Sequence, residues 1–258
     1  MKALRRAVPP VLAFLGFLLV WEAIVRRGHI PPYILPAPSC IGATLIADRA
    51  TLLPALWVTL SITLEGLLAA TFGGLLIAIL FTQWRWLERA FLPFAVILQV
   101  TPIIAIAPLL LIYCTPPVAV LLCAFLVAFF PILANTALGL ASAGRNLRDL
   151  FALYGATPGQ TLWLLKMPAA LPLFLAGLRI GGGLALIGAI AAELTAGTQG
   201  GRTGLAFRIV EAGYRLNIPR MFAALALVAL TGIAIYVALA ALSRWALRRW
   251  HESAAETG

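Results

Sequence analysis

The feature that most constrains this chain is the length of its stretches without a charged side chain. No Asp, Glu, Lys or Arg occurs in the 55 residues from Ala90 to Gly144, and the stretches 7–25, 50–84, 167–192 and 221–243 each carry one charge or none. A soluble domain is about 25% charged. This chain is 11% charged and 62% hydrophobic. We therefore predict an integral membrane protein, because lipid must solvate much of its surface.

The same stretches give the number of membrane crossings. A helix needs about 20 apolar residues to cross about 30 Å of hydrocarbon, so the window 90–144 is long enough for two crossings. Pro116 and Pro117 divide it, because proline lacks the backbone donor that continues a helix. We predict six membrane helices, over residues 8–25, 54–81, 91–112, 118–142, 170–192 and 221–243. The segment 39–50, which follows Pro38, is interpreted as a short interfacial helix.

The distribution of basic residues indicates how the chain is inserted. Six crossings put both termini on one side of the membrane, and that side carries more lysines and arginines than the other. Cytoplasmic loops are enriched in these residues, so both termini are predicted to be cytoplasmic. The four arginines between residues 194 and 220 weaken this bias. The whole chain, 1–258, is interpreted as a single transmembrane domain.

Catalytic, metal and nucleic-acid sites find little support in the sequence. Ala196–Thr203 comes nearest to a phosphate-binding loop, but alanine and arginine replace the first glycine and the lysine of GxxxxGK[ST]. Three cysteines without a CxxC pair and two histidines do not provide a zinc site. The net charge of +10 is spread over small basic clusters between apolar stretches. We predict no catalytic residue, no metal site and no nucleic-acid binding.

One loop between predicted membrane helices has an apolar face of its own. Four apolar residues recur there at the spacing of one helix face: Leu147, Leu150, Phe151 and Tyr154. We expect Gly155 to end this helix and Pro158 to prevent its early resumption. An apolar ridge left in water costs about 25 cal/mol per Å², so it favours a protein groove as its partner. The pattern alone also allows a helix that lies on the bilayer surface.

The same loop resembles the EAA loop of ABC importer permeases. That motif reads EAA, three residues, Gly, nine residues, Ile-x-Leu-Pro. This chain has Asp149-Leu150-Phe151, Gly155 and Leu165-Lys166-Met167-Pro168 at the same spacings, with Gly155 and Pro168 identical. Four further segments are similar to the nitrate, sulfonate and taurine branch of these permeases: Leu35–Ser39, Thr101–Leu109, Gly177–Arg179 and Ala192-Glu193. The likeness covers nearly the whole chain.

The resemblance implies an all-α integral membrane protein, a type I ABC importer permease with six transmembrane helices and a cytoplasmic coupling loop over 143–169. Such permeases pair as two membrane subunits, here two copies of this chain. They bind two copies of a separate ATPase and receive substrate from an extracytoplasmic binding protein. The implied ATPase-coupling residues are Asp149, Leu150, Phe151, Ala152, Tyr154, Gly155 and Pro168.

Under the same resemblance, ATP is bound by the partner subunit and this chain needs no cofactor of its own. The implied location is the bacterial inner membrane, in contact with its lipid. The implied cargo is a small solute such as a sulfonate, nitrate or taurine, and relatives that import uncharged vitamin precursors share the scaffold.

A translocation path between two copies should be lined by the third to fifth predicted helices. The candidate lining residues are Gln99, Pro102, Asn135, Arg179 and Glu193. A charge within a membrane helix needs a partner, so Arg179 could meet an anionic substrate, or it could pair with Glu65 or with backbone carbonyls. Gln99 and Asn135 could equally be polar contacts between helices.

Residues 197–215 are expected on the extracytoplasmic side. Gly197–Gly204 is rich in glycine, and residues 205–214 are predicted to form a short helix in which Glu211 can pair with Arg208 and Arg215. The resemblance implies a docking surface for the binding protein or part of an outer gate. A solvated surface helix is the alternative.

Two other classes of protein are alternatives to an ABC permease. The first is a carrier or channel driven by an ion gradient, which typically shows acidic relays within the membrane or paired inverted repeats. The second is a membrane scaffold without transport, whose apolar ridge docks another partner.

Overall fold

The structure is a computed structural model that describes residues 2–197 and 203–248, and within these ranges the chain is helical without a strand. The helices are α1 (Lys2–Arg27), α2 (Pro38–Ala47), α3 (Arg49–Gln83), α4 (Arg85–Val100), α5 (Ile103–Tyr113), α6 (Pro116–Ala141), α7 (Arg145–Leu153), α8 (Pro158–Thr161), α9 (Met167–Ala196), α10 (Leu205–Tyr214) and α11 (Ile218–Leu247). A π-helical segment, Leu162–Lys166, joins α8 to α9.

Five stretches of helix in the described ranges are long and apolar enough to cross a membrane: Val8–Arg27, Arg49–Gln83, Pro116–Ala141, Pro158–Ala196 and Ile218–Leu247. They correspond to the first, second, fourth, fifth and sixth predicted crossings. Most extend beyond the predicted bounds, because a charge-free window marks only the part of a helix that lipid covers. The all-α membrane architecture is thus confirmed.

The third predicted crossing, 91–112, is not one continuous helix. The chain there forms α4 and α5, which are separated by Thr101 and Pro102 in extended conformation. Pro102 has no N–H for the carbonyl four residues earlier, and its ring disfavours helical geometry at Thr101. At 1.5 Å per residue the two halves are about 24 Å and about 17 Å long, so neither alone spans about 30 Å of hydrocarbon.

Internal contacts divide the chain into two compact units, with boundaries inside α3 and α11. The first unit comprises Met1–Val58 and Arg202–Ala229. Its core is a cluster of apolar side chains: Ile41, Leu52, Ala55, Leu205, Ala223 and Ala224. The rings of Trp21 and Phe222 pack against each other with centroids 6.0 Å apart. The guanidinium of Arg220 donates two hydrogen bonds to the carboxylate of Asp48, one of them at 2.9 Å.

The short helix predicted after Pro38 is confirmed as α2, and it explains the acidic residue of the first crossing. Glu22 accepts hydrogen bonds from the backbone N–H and the hydroxyl of Ser39, at 3.0 and 2.7 Å. It also pairs with Arg26, one helical turn along α1. These contacts supply the partners that a carboxylate needs near the membrane.

The second unit comprises Thr59–Gly201 and Leu230–Gly258, and close packing of α6 on α9 forms its centre. Small residues allow this approach. A Cβ at Gly188 would lie 2.7 Å from the carbonyl oxygen of Cys123, and a Cβ at Gly177 would lie 2.8 Å from the Cβ of Asn135. Glycine is therefore required at these positions because the backbones touch.

Candidate functional site

The apolar ridge predicted in the loop lies on α7. No residue of α7 is buried in the isolated chain. Leu147 is 50% exposed and Leu150 is 44% exposed, while Tyr154, directly after the helix, is 83% exposed. Asp149 and Ala152 are also exposed, and Phe151 is half-buried. The structure thus presents a short helix with an uncovered apolar face.

Gly155 ends α7 as predicted. Its φ is +65°, a conformation that favours glycine. The N–H of Ala156 donates to the carbonyl of Phe151 at 3.0 Å and closes the last turn.

The expectation that Pro158 delays the next helix is wrong, because α8 begins at Pro158 itself. Thr157 and Gln160 form a capping box, in which each side chain accepts a hydrogen bond from the other residue's backbone N–H. Proline suits the first position of a helix, where its missing N–H has no partner to lose. The turn from α7 to α8 is therefore short and fixed at both ends.

The π-helical segment connects this turn to α9. The N–H of Met167 donates to the carbonyl of Leu162, five residues earlier. Pro168 follows at the start of α9 and has no N–H for the carbonyl of Leu164. In an unbroken α-helix, Leu162 and Ala170 would be rotated about 80° apart, and the extra residue of a π turn removes most of that difference. Both side chains consequently lie in one core cluster.

A cavity of about 340 Å³ opens at the break between α4 and α5. Gln99 and Pro102, two of the predicted path residues, line it together with Thr101. The opposite walls come from α6 and α9 and include Phe130, Pro131 and Leu184. Thr101 was not among the predicted path residues, although a residue before a proline favours an extended backbone at this point.

Glu193 does not line this cavity. It is 6% exposed, and the hydroxyl of Thr59 lies 2.8 and 3.0 Å from its two carboxylate oxygens. Helices α9 and α3 are therefore joined by a hydrogen bond between the buried carboxylate of Glu193 and the hydroxyl of Thr59. Thr59 was missed in the sequence because it lies 134 residues away from its partner.

Asn135 and Arg179 are also outside the cavity lining. The side-chain amide of Asn135 donates to the carbonyl of Pro131 at 2.8 Å, within α6. The guanidinium carbon of Arg179 lies 5.8 Å from the ring centroid of Tyr236, a cation–π contact between α9 and α11. Glu65 is exposed on α3, and the ion pairs recorded for the described residues do not join it to Arg179.

The short helix predicted after the glycine-rich loop is confirmed as α10. Glu211 pairs with Arg208 at 2.8 Å and with Arg215 at 2.9 Å. The hydrogen bond from Arg208, more than the charges of the nearby arginines, lowers the pKa of Glu211 below its ordinary value. Residues 198–202, the centre of the glycine-rich loop, lie outside the described residues.

Possible metal ligands are scattered. Across residues 2–197 and 203–248, no three His, Cys, Asp or Glu side chains come close enough to hold a metal ion.

Comparison with known proteins gives a family match. The model of the family "Binding-protein-dependent transport system inner membrane component" matches residues 70–251.

Three relatives are similar over nearly their whole length. The formylaminopyrimidine transport permease of Halalkalibacterium halodurans is 34% identical, over 93% of this chain and 94% of that protein. The riboflavin transport system permease of Chloroflexus aurantiacus is also 34% identical, over 98% and 95%. The taurine transport system permease of Escherichia coli is 29% identical, over 96% and 92%.

A solved structure has the same fold. A chain of the inward-facing MetNI methionine ABC transporter matches with a TM-score of 0.67 and 19% identity, over 77% of this chain and 97% of that chain.

Proposed function

Because the chain belongs to the family of binding-protein-dependent transport system inner membrane components, we propose that it couples passage of a small solute to a separate ATPase through α7 and the turn that follows. It is the permease component of an ABC importer in the inner membrane, a transport subunit and not an enzyme. This family works with an ATPase and a substrate-binding protein. Two copies of this chain and two ATPase subunits form the proposed assembly, in which ATP binds only to the ATPase.

The observation that carries the coupling proposal is the uncovered apolar face of α7. In an assembled transporter this face needs a partner, because exposed apolar surface is costly in water. A groove on the ATPase supplies one, and helix-in-groove docking uses apolar residues at this spacing. The proposed contact residues are Asp149, Leu150, Phe151, Ala152, Tyr154 and Gly155.

Movement of the ATPase must then reach the membrane helices. The capping box at Thr157 and the π-helical segment make a short connection from α7 to α9, and Pro168 lies at its end. Rigid-body motion of a docked helix can therefore tilt α9 without a long flexible linker in between. This continuity supports a mechanical role for Pro168.

The solute path is proposed to run past the α4–α5 break. Broken helices line substrate sites in many transporters, because irregular backbone is tolerated in a membrane only beside protein or a cavity. The cavity of about 340 Å³ is within the size range of small-molecule sites. In this arrangement α4 and α5 together make the third of six crossings, which leaves both termini on the cytoplasmic side.

Loss of coupling in a folded permease tests this proposal. Replacing Tyr154 and Gly155 together by Asp puts two charges on the apolar docking surface. We expect the variant to lose stimulation of ATP hydrolysis by the loaded binding protein, while its thermal unfolding in detergent stays close to that of the wild type. Normal stimulation in the variant would exclude α7 as the coupling element.

A further inference from the structure

The break between α4 and α5 brings two helix ends of opposite polarity to one point. α4 ends at Val100 and α5 begins at Ile103, so the C-terminus of one helix and the N-terminus of the next are separated by two residues. A helix C-terminus carries a partial negative charge and a helix N-terminus a partial positive charge. The break therefore presents partial charges of both signs and carries no net charge of its own.

The same break offers hydrogen-bonding groups of both kinds. Part of the backbone at the break is paired, since the N–H of Thr101 donates to the carbonyl of Ile97 at 3.1 Å and the N–H of Ala105 donates to the carbonyl of Pro102 at 2.9 Å. The other carbonyls at the end of α4 and the other N–H groups at the start of α5 have no partner within their own helices. Pro102 adds no N–H to this set. The hydroxyl of Thr101 donates to the carbonyl of Ile97 at 2.8 Å, which leaves its oxygen as an acceptor. The exposed side-chain amide of Gln99 can both donate and accept.

The rest of the cavity is apolar. Leu126, Val127 and Phe130 of α6 and Leu184 of α9 face the break across it. None of the described residues that line the cavity is charged. Arg179, the basic residue considered for an anionic substrate, contacts the ring of Tyr236 instead. An anion in this cavity would therefore gain no charged partner for the water that it gives up.

We propose that the α4–α5 break is the specificity-determining element of the permease and that it selects an uncharged, hydrogen-bonding solute such as a small heteroaromatic ring over an anion. The side-chain amide of Gln99 forms hydrogen bonds with the polar edge of the solute, and the hydroxyl oxygen of Thr101 accepts a hydrogen bond from the solute. The apolar wall of the cavity packs against the faces of the solute. This inference rests on the proposed function, because it assumes that the solute passes this cavity.

Direct binding to the permease–ATPase complex tests the inference without the selectivity of the binding protein. The two radiolabelled probes are formylaminopyrimidine, which is uncharged, and ethanesulfonate, which is an anion of small size. Equilibrium dialysis should give at least about tenfold tighter binding of formylaminopyrimidine to the wild type. In Gln99→Leu this binding should weaken about tenfold or more, since the hydrogen bond between the side-chain amide and the solute is lost. Gln83→Leu, at the exposed end of α3, is the matched control and should bind like the wild type.

A charge introduced at the same position gives a second, independent readout. Gln99→Arg should acquire binding of ethanesulfonate, because the guanidinium supplies the partner that the wild-type cavity lacks. The inference is overturned by equal or tighter wild-type binding of ethanesulfonate, by failure of both probes to bind, or by unchanged binding in Gln99→Leu. ATP-driven uptake by the same preparation is measured alongside, so that a working importer with the opposite selectivity refutes only this inference.

Discussion

Truncation of Tyr154 should uncouple the permease from its ATPase by a predictable amount. The side chain is 83% exposed in the isolated chain. An aromatic side chain of about 200 Å² therefore has about 165 Å² to bury in a groove, worth about 4 kcal/mol at about 25 cal/mol per Å². Alanine retains the Cβ, so Tyr154→Ala should cost about 2 to 4 kcal/mol, a loss of about 30-fold to 1,000-fold in affinity.

The assay is binding of the purified ATPase subunit to the permease in lipid nanodiscs. Tyr214 provides a matched control, since it is 87% exposed at the end of α10, in the segment predicted to be extracytoplasmic. Tyr214→Ala should leave ATPase affinity unchanged, and neither variant should unfold at a markedly lower temperature. Wild-type affinity of Tyr154→Ala, or an equal loss in Tyr214→Ala, would show that Tyr154 is not part of the ATPase contact.

Three further predictions concern stability. Gly188→Ala should destabilise the chain by about 1 to 3 kcal/mol through overpacking. Gly183→Ala has open space around its Cβ and should be neutral or slightly stabilising. Thermal unfolding in detergent distinguishes the two variants. Asp48→Asn should cost about 1 to 2 kcal/mol by weakening the hydrogen bonds from Arg220, measured as a lower denaturation midpoint that Asp48→Glu partly restores. Because the pKa of Glu211 is lowered in the folded chain, the ionised carboxylate should stabilise the fold fully above about pH 5. This stabilisation should disappear as the pH falls through the acidic range. A Glu211→Gln variant should lack this part of the pH dependence.

Most of the helices could be predicted because a segment that crosses lipid must be long and apolar. A membrane helix needs a long apolar stretch, and such stretches can be read without knowledge of tertiary contacts. The third crossing differs because a proline in a membrane helix can either bend or break it. The outcome depends on the surroundings of the freed backbone groups, and at Pro102 these include a cavity whose far wall comes from α6 and α9.

Helix α7 was predictable from local pattern, since Leu150 and Tyr154 occupy one helical face and Gly155 follows at the point where the helix ends. The π-helical segment was not. It brings Leu162 and Ala170 into one core cluster, and that packing is a property of the folded unit.

The predicted path residues do not all lie in one place, because tertiary packing decides which helix each of them faces. Gln99 and Pro102 are three residues apart and share a cavity, whereas Arg179 and Glu193 contact partners on other helices. Spacing along one helix predicts which residues share a face. It does not predict which distant helix that face meets.

We propose that this chain supplies the passage while a separate ATPase supplies the energy, and uptake into sealed proteoliposomes distinguishes this division of labour from transport by the permease alone. The purified permease is reconstituted with and without the ATPase subunit, with the loaded binding protein outside and ATP inside. Solute should accumulate against its gradient only when the ATPase and ATP are both present. Accumulation by the permease without the ATPase, under an ion gradient or none, would show that the chain is a carrier that needs no ATPase.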